Sequence, residues 1–215
     1  MTTLRFPQGL YGVSPDWDDT PRLLAALEAA AAGGMVAFQL RRKTAEPQAV
    51  LEQARQIVQR CRELGVLSII NDDWRLAALV DADGVHLGRE DGSLADARVA
   101  LGPDRIIGCS CYDDPARAER AMLADVDYVA FGAMYASGVK PEAVRALPEH
   151  LRQARRIVDE AHEGSRPAVV AIGGITPDNA APVIAAGADS IAVISGIFLA
   201  PDIQAAARRC ADLFG

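Results

Sequence analysis

Residues 168–198 read AVVAIGGITPDNAAPVIAAGADSIAVISGIF. A short β-branched run from Ala168 ends in Gly173-Gly174-Ile175-Thr176, an alanine-rich stretch follows, and a second run from Ser190 ends in Ile194-Ser195-Gly196. Strand, helix and strand in that order imply a parallel pair. The same alternation runs back to the N-terminus. Further candidate strands begin at Gly9 (GLYGVS), Met35 (MVAFQLR), Leu67 (LSIIND), Gly84 (GVHLG), Ile106 (IIGCSC) and Asp127 (DYVAFGAMY), which makes eight. From Gln48 to Leu64, Val50, Ala54, Ile57, Val58, Cys61 and Leu64 recur at helical spacing, and Gly65 fits a C-cap. A shorter, weaker helix is expected over Arg75 to Val80. Eight units in 215 residues leave about 27 residues each, near the lower limit for a βα repeat. The reading is an α/β closed (β/α)8 barrel, a TIM barrel, as a single domain over 1–215. The rival open, doubly wound sheet lacks a GxGxxG turn after its first strand.

Composition bounds the partners. The chain has 22 basic and 29 acidic residues, a formal charge of −7 and a pI near 5.0. Such a balance argues against a nucleic-acid coat or a binder of anionic membranes, though not against a small basic pocket. No apolar run reaches the roughly 18 residues of a membrane span, and Met1 to Pro7 holds no signal-like segment. A cytoplasmic location is expected. Cys61, Cys109, Cys111 and Cys210 show no CxxC spacing. Cys61 and Cys210 read as small apolar residues on helices.

In a parallel barrel the chemistry sits at the C-terminal strand ends. The second strand ends Gln39-Leu40-Arg41-Arg42-Lys43. Alternation puts Gln39, Arg41 and Lys43 on one face, and Val36, Phe38 and Leu40 on the other, which should pack on helices. The polar set then faces the barrel mouth, where two cations and an amide suit a phosphate or diphosphate. A solvated charge run is the plain alternative. The third strand ends Asn71-Asp72-Asp73, and Asp91 follows the fourth. Asp72 and Asp91 could share one Mg2+, which takes one or two carboxylates plus waters and substrate phosphates. Helix N-caps are the competing reading for Asp72 and Asp73, and Asp73 fits it well. Ser110, in Gly108-Cys109-Ser110-Cys111-Tyr112, is either a ligand donor or a cap. His86 reads as a packed strand histidine rather than an acid or base. Ser137-Gly138-Val139-Lys140 forms an anion-binding loop without the Walker pattern. The glycines after the last two strands let backbone N–H groups approach a second phosphate. Two anion sites imply two phosphorylated small-molecule substrates, and a diphosphate neutralised by metal and cations is a good leaving group.

The stretches GLYGVS, FQLRRK, IINDDWRLA, ADGVHLGRED, IIGCSCYD, DYVAFGAMYASGVKP, VVAIGGITPDNA and GADSIAVISGIF together resemble the thiamine-phosphate synthase family, in its order from first strand to last. The resemblance implies a transferase (EC 2.5.1.3) that joins 4-amino-2-methyl-5-hydroxymethylpyrimidine diphosphate to a thiazole phosphate, releasing pyrophosphate by a dissociative substitution. It implies that Gln39, Leu40, Arg41, Arg42, Lys43, Asn71, Ser110 and Lys140 hold the pyrimidine diphosphate. Arg41, Lys43, Ser110 and Lys140 would be the catalytic groups, and Asp72 and Asp91 the Mg2+ ligands. Ser137, Gly138, Val139, Gly174, Ile194 and Ser195 would surround the thiazole phosphate. Three positions depart from the family pattern: Val139 replaces a threonine, Ala133 stands where a proline is common after the strand glycine, and Tyr112 stands where a histidine is common. A related thiazole tautomerase carries its catalytic histidine at the Tyr112 position and lacks the full diphosphate and Mg2+ set. A ligand-sensing barrel without turnover is the alternative from another class. Self-association of the chain is left open.

Overall fold

The computed structural model describes residues 3–136, 144–161 and 164–215. Eight parallel strands close on themselves: β1 (Gly9–Val13), β2 (Met35–Leu40), β3 (Leu67–Asn71), β4 (Gly84–Leu87), β5 (Ile106–Tyr112), β6 (Tyr128–Phe131), β7 (Ala168–Ile172) and β8 (Ser190–Val193). All eight expected strands form, in sequence order around the ring. β8 completes it by pairing with both β7 (Ser190 opposite Val170) and β1 (Ile191 opposite Leu10). Outside the barrel, Thr3–Leu4 pairs with Ser165–Arg166 in a two-residue parallel bridge, which the sequence reading did not anticipate.

The helices are α1 (Thr20–Ala32), α2 (Pro47–Leu64), α3 (Trp74–Leu79), α4 (Leu94–Leu101), α5 (Pro115–Met122), α6 (Pro148–Ala161), α7 (Ala181–Ala185), α8 (Ser195–Phe198) and α9 (Ile203–Ala211). Each has a local cause. In α2, Pro47 opens the first turn, and Ala54, Ile57, Val58 and Cys61 form the buried stripe. Gly65 ends it at φ 68°, its N–H donating to Arg62 and that of Val66 to Cys61. Asp73 caps α3, accepting from the N–H groups of Arg75 and Leu76 at 2.9 and 3.0 Å.

Strand alternation divides the apolar residues into two cores. Leu10, Phe38, Leu40, Ile70, Val85, Leu87, Ile107, Val129 and Ile191 point outward and pack under the helices. Tyr11, Val13, Ala37, Ile69, Tyr128, Ala130, Val170 and Ala192 fill the interior, with Phe6 beneath them. The barrel is therefore a packed cylinder with an open upper face, and polar side chains appear at its top layer. All four cysteines are buried free thiols. Burial pushes Cys61 up to about 12 and Cys210 up to about 11.

Candidate active site

Gln39 ends its strand pointing inward, as the alternation requires, and is 4% exposed. Its Nε2–H donates to Tyr11 Oη at 2.6 Å. Beyond it, Arg41 is held by its backbone, whose N–H donates to Ser14 Oγ at 2.8 Å. Its guanidinium enters no ion pair among the described residues. Lys43 pairs through Nζ with Asp72. Two neighbours turn elsewhere. Leu40 is buried in the outer core. Arg42 lies beneath the β1–α1 loop, paired with Asp16 and Asp18 and donating to Gln53 Oε1 at 2.9 Å and to the Trp17 carbonyl. Neither side chain reaches the mouth: one serves the helix layer, and the other braces the loop that carries Asp16.

Asp72 and Asp91 come together across adjacent strand ends. Asp72 adopts φ 66°, and its N–H donates to the His86 carbonyl at 2.8 Å. Asp91 Oδ2 accepts the Gly88 N–H at 2.7 Å. A Cβ at Gly88 would sit 2.8 Å from that same oxygen, so the glycine makes room for the carboxylate. The two carboxyls interact electrostatically. Burial and the neighbouring Asp72 push Asp91 above the usual carboxylate range. Against its own burial, the Lys43 ammonium and the interaction with Asp91 hold Asp72 below it. Two hard oxygen donors brought together beside a lysine form a pair that a small divalent cation would relieve, and Mg2+ suits that donor set. Asn71, one residue earlier, carries another unmet demand: its Nδ2 is buried without a partner among the described residues. A buried amide left open at a cleft is a binding group in waiting.

Ser110 points inward between two cysteines that point outward. Arg117 steadies this segment, donating Nε–H to the Ser110 carbonyl at 2.6 Å and Nη2–H to that of Gly88 at 3.2 Å. Cys109 and Cys111 are fully buried under the helices. The adjacent Cys109 sulfur, together with burial, holds the Cys111 thiol well up. Neither faces the mouth, so strand geometry separates them from any substrate there. Tyr112, at φ 58°, lies across the β4–α4 loop, accepting the Arg89 N–H at 3.3 Å. His86 sits half-buried with both ring nitrogens in hydrogen bonds, to Tyr128 Oη at 3.0 Å and Ser110 Oγ at 2.8 Å. This agrees with the packed-histidine reading.

On the opposite side of the mouth, glycines let loops meet backbone to backbone. A Cβ on Gly174 (φ 63°) would lie 2.5 Å from the Ala136 carbonyl oxygen, and one on Gly196 would lie 2.4 Å from that of Ile175. Asn179 ties the β7 loop, accepting from the Thr176 N–H at 2.8 Å and donating to the Gly174 carbonyl at 3.0 Å. Ser195 opens α8 directly after Ile194. Gly174, Ile194 and Ser195 thus share the rim, as expected. Ser137, Gly138, Val139 and Lys140 lie outside the described residues. Tyr11, Tyr128, Ser14 and Arg117 were not expected in this region. Inward parity with Gly9 and Val13 was the available signal for Tyr11.

The comparisons with known proteins agree with this geometry. The family model described as Thiamine monophosphate synthase matches residues 10–197. The chain belongs to the thiamine-phosphate synthase family. A thiamine-phosphate synthase from Bordetella pertussis is 58% identical over 214 residues, covering 100% of this chain and 98% of that one. One from Thiobacillus denitrificans is 49% identical over 209 residues, covering 97% and 96%. Among solved structures, a thiamine phosphate pyrophosphorylase from Pyrococcus furiosus superposes with a TM-score of 0.82 at 33% identity, covering 98% and 96%. Thiamine-phosphate synthases are transferases of EC 2.5.1.3, and this member has the barrel that class uses. Among the described residues, no helix is long and apolar enough to cross a membrane.

Proposed function

We propose that this chain condenses 4-amino-2-methyl-5-hydroxymethylpyrimidine diphosphate with a thiazole phosphate to give thiamine phosphate and pyrophosphate. The observation that carries the reading is the mouth of β2–β4. There a carboxylate pair, Asp72 and Asp91, stands beside Lys43 and, without partners among the described residues, the Arg41 guanidinium and the Asn71 amide nitrogen. Arg41, Lys43 and Asn71 bind and orient the diphosphate, with Gln39 and Ser110 toward the pyrimidine end and Lys140 completing the set. Asp72 and Asp91 hold Mg2+, which when bound neutralises diphosphate charge. The C–O bond to the diphosphate breaks with its electron pair leaving on oxygen, and the pyrimidine methylene becomes a ring-stabilised cation. The thiazole nitrogen then supplies the electron pair for the new C–N bond. No side-chain nucleophile is required, which suits a mouth built from cations and amides; positioning and charge stabilisation supply the rate. The thiazole phosphate binds at the other rim, by Gly174, Ile194 and Ser195; Ser137, Gly138 and Val139, outside the described residues, are its further contacts in this reading.

The test mixes purified protein, Mg2+ and both phosphorylated substrates and follows thiamine phosphate and pyrophosphate. Formation of both in equal amounts is expected. Binding of the substrates without product would overturn the reading in favour of a sensing barrel.

A further inference from the structure

Below the mouth, the barrel interior holds a file of polar side chains, and the reaction above gives no task to its inner members, Tyr11, Tyr128 and His86. Gln39 Nε2 lies 2.6 Å from Tyr11 Oη, and Tyr11 Oη lies 2.8 Å from Tyr128 Oη. Tyr128 Oη lies 3.0 Å from His86 Nδ1, and His86 Nε2 lies 2.8 Å from Ser110 Oγ. The file crosses five strands and joins Gln39 and Ser110, the two members proposed to face the pyrimidine, through three that do not touch substrate. Both tyrosines are fully enclosed, at 1% and 0% exposure, so their hydroxyls must be satisfied inside the protein.

Donor chemistry gives the file a direction. The Gln39 amide nitrogen can only donate, so Tyr11 accepts there and passes its single proton to Tyr128. Tyr128, accepting from Tyr11, gives its own proton to His86 Nδ1. An imidazole that accepts at Nδ1 is neutral and carries its hydrogen on Nε2. It therefore donates to Ser110, whose oxygen accepts that bond on one lone pair and whose own hydrogen is left for the mouth. Packing leaves the rings no other seat. A Cβ at Gly108 would fall 1.9 Å from Tyr128 Cζ, Phe6 lies 4.4 Å from the Tyr128 ring centre, and His86 stacks on it at 17°.

We infer that Tyr11, Tyr128 and His86 are positioning residues that set Ser110 as a hydrogen-bond donor, so that it meets an acceptor atom of the pyrimidine diphosphate, a ring nitrogen or a phosphate oxygen, and not the 4-amino group. The inference rests on the proposed reaction for its substrate, but the state of the file does not depend on turnover. The first test is accordingly made without ligand. Histidine side chains are labelled with 15N, and the His86 signals are assigned by comparison with His86→Gln. A pyridine-type Nδ1 and a pyrrole-type Nε2 are expected; the reverse assignment, or an imidazolium, overturns the file. In Tyr128→Phe the tautomer preference should be lost. Turnover should fall about tenfold, the value of one hydrogen bond, with KM for the thiazole phosphate unchanged. Ser110→Ala added to Tyr128→Phe should cost less than the product of the two single losses. An unchanged tautomer and rate in Tyr128→Phe, or fully independent losses, would overturn the positioning role. Should Tyr128→Phe fail to fold, the wild-type tautomer still decides. A wild-type protein that makes no thiamine phosphate sinks the proposed function, whereas an active protein with the wrong tautomer sinks this inference alone.

Discussion

Asp72 sits in the left-handed region, where a Cβ is ordinarily unwelcome and Asp is among the residues that tolerate it. That turn carries its carboxyl across to Asp91, so a local backbone cost is spent on bringing like charges together. Asp72→Ala should leave the circular dichroism and melting temperature close to wild type while lowering Mg2+-dependent turnover on the order of 100-fold or more. Wild-type turnover in that variant would remove Asp72 from the site. Gly108 answers to a different neighbour. Gly108→Ala sets a methyl against the Tyr128 ring and should cost about 1–3 kcal/mol in urea denaturation. At this scale the sequence was legible where parity and position were enough: Gln39 inward, Arg41 and Lys43 at a strand end, Asp72 and Asp91 on adjacent strands. It was not legible where a partner's identity mattered. That Arg42 would turn to Asp16 and Asp18 depends on a loop far away in the chain. That His86 would meet Tyr128 depends on a strand two places along the ring.

Three elements begin with the same staple. Asp83, Asp127 and Asp189 each precede a strand, and each carboxylate accepts a backbone N–H from the preceding neighbour: Ser68 at 2.8 Å, Ile107 at 2.7 Å and Val169 at 2.8 Å. Asp189 is also the most heavily engaged. It takes two bonds from the buried Arg166 guanidinium at 2.8 Å each and one from Arg155 at 2.7 Å. Asp189→Ala leaves the buried Arg166 with Asp159 and the Pro167 carbonyl as its partners and should cost about 1–3 kcal/mol at equilibrium; a loss under about 0.5 kcal/mol would show that the staple is incidental. Asp81, exposed between Arg105 and Arg62, gives a pH-dependent counterpart. Those guanidiniums, Arg105 foremost, hold its carboxyl below the usual range. Its stabilising share is therefore present above the unfolded value of about 3.9 and lost as pH falls through the lower folded one. Asp81→Asn should flatten that part of the acid limb in thermal melts, and added salt should do likewise. The strands themselves were legible as β-branched runs bounded by Gly and Asp. The staples were not, because the repeated aspartate reads as an ordinary loop residue until its neighbour's N–H is seen.

Across the whole molecule, a net charge of −7 coexists with two cations, Arg41 and Lys43, at one strand end, because charge position and charge total are independent. Length and alternation made the closed barrel legible; the two-residue bridge between Thr3–Leu4 and Ser165–Arg166 was too short to leave a pattern. The ring is closed by its last strand, which joins β7 to β1. This has a consequence in time. A chain emerging from the ribosome has β1 long before the strand that covers its free side. Until Ser190–Val193 emerges, β1 and β7 both present bare backbone edges. A polypeptide terminated before that point is therefore a sheet with two adhesive sides, prone to pairing with its own kind, and Ser190–Val193 is the segment that makes the product safe.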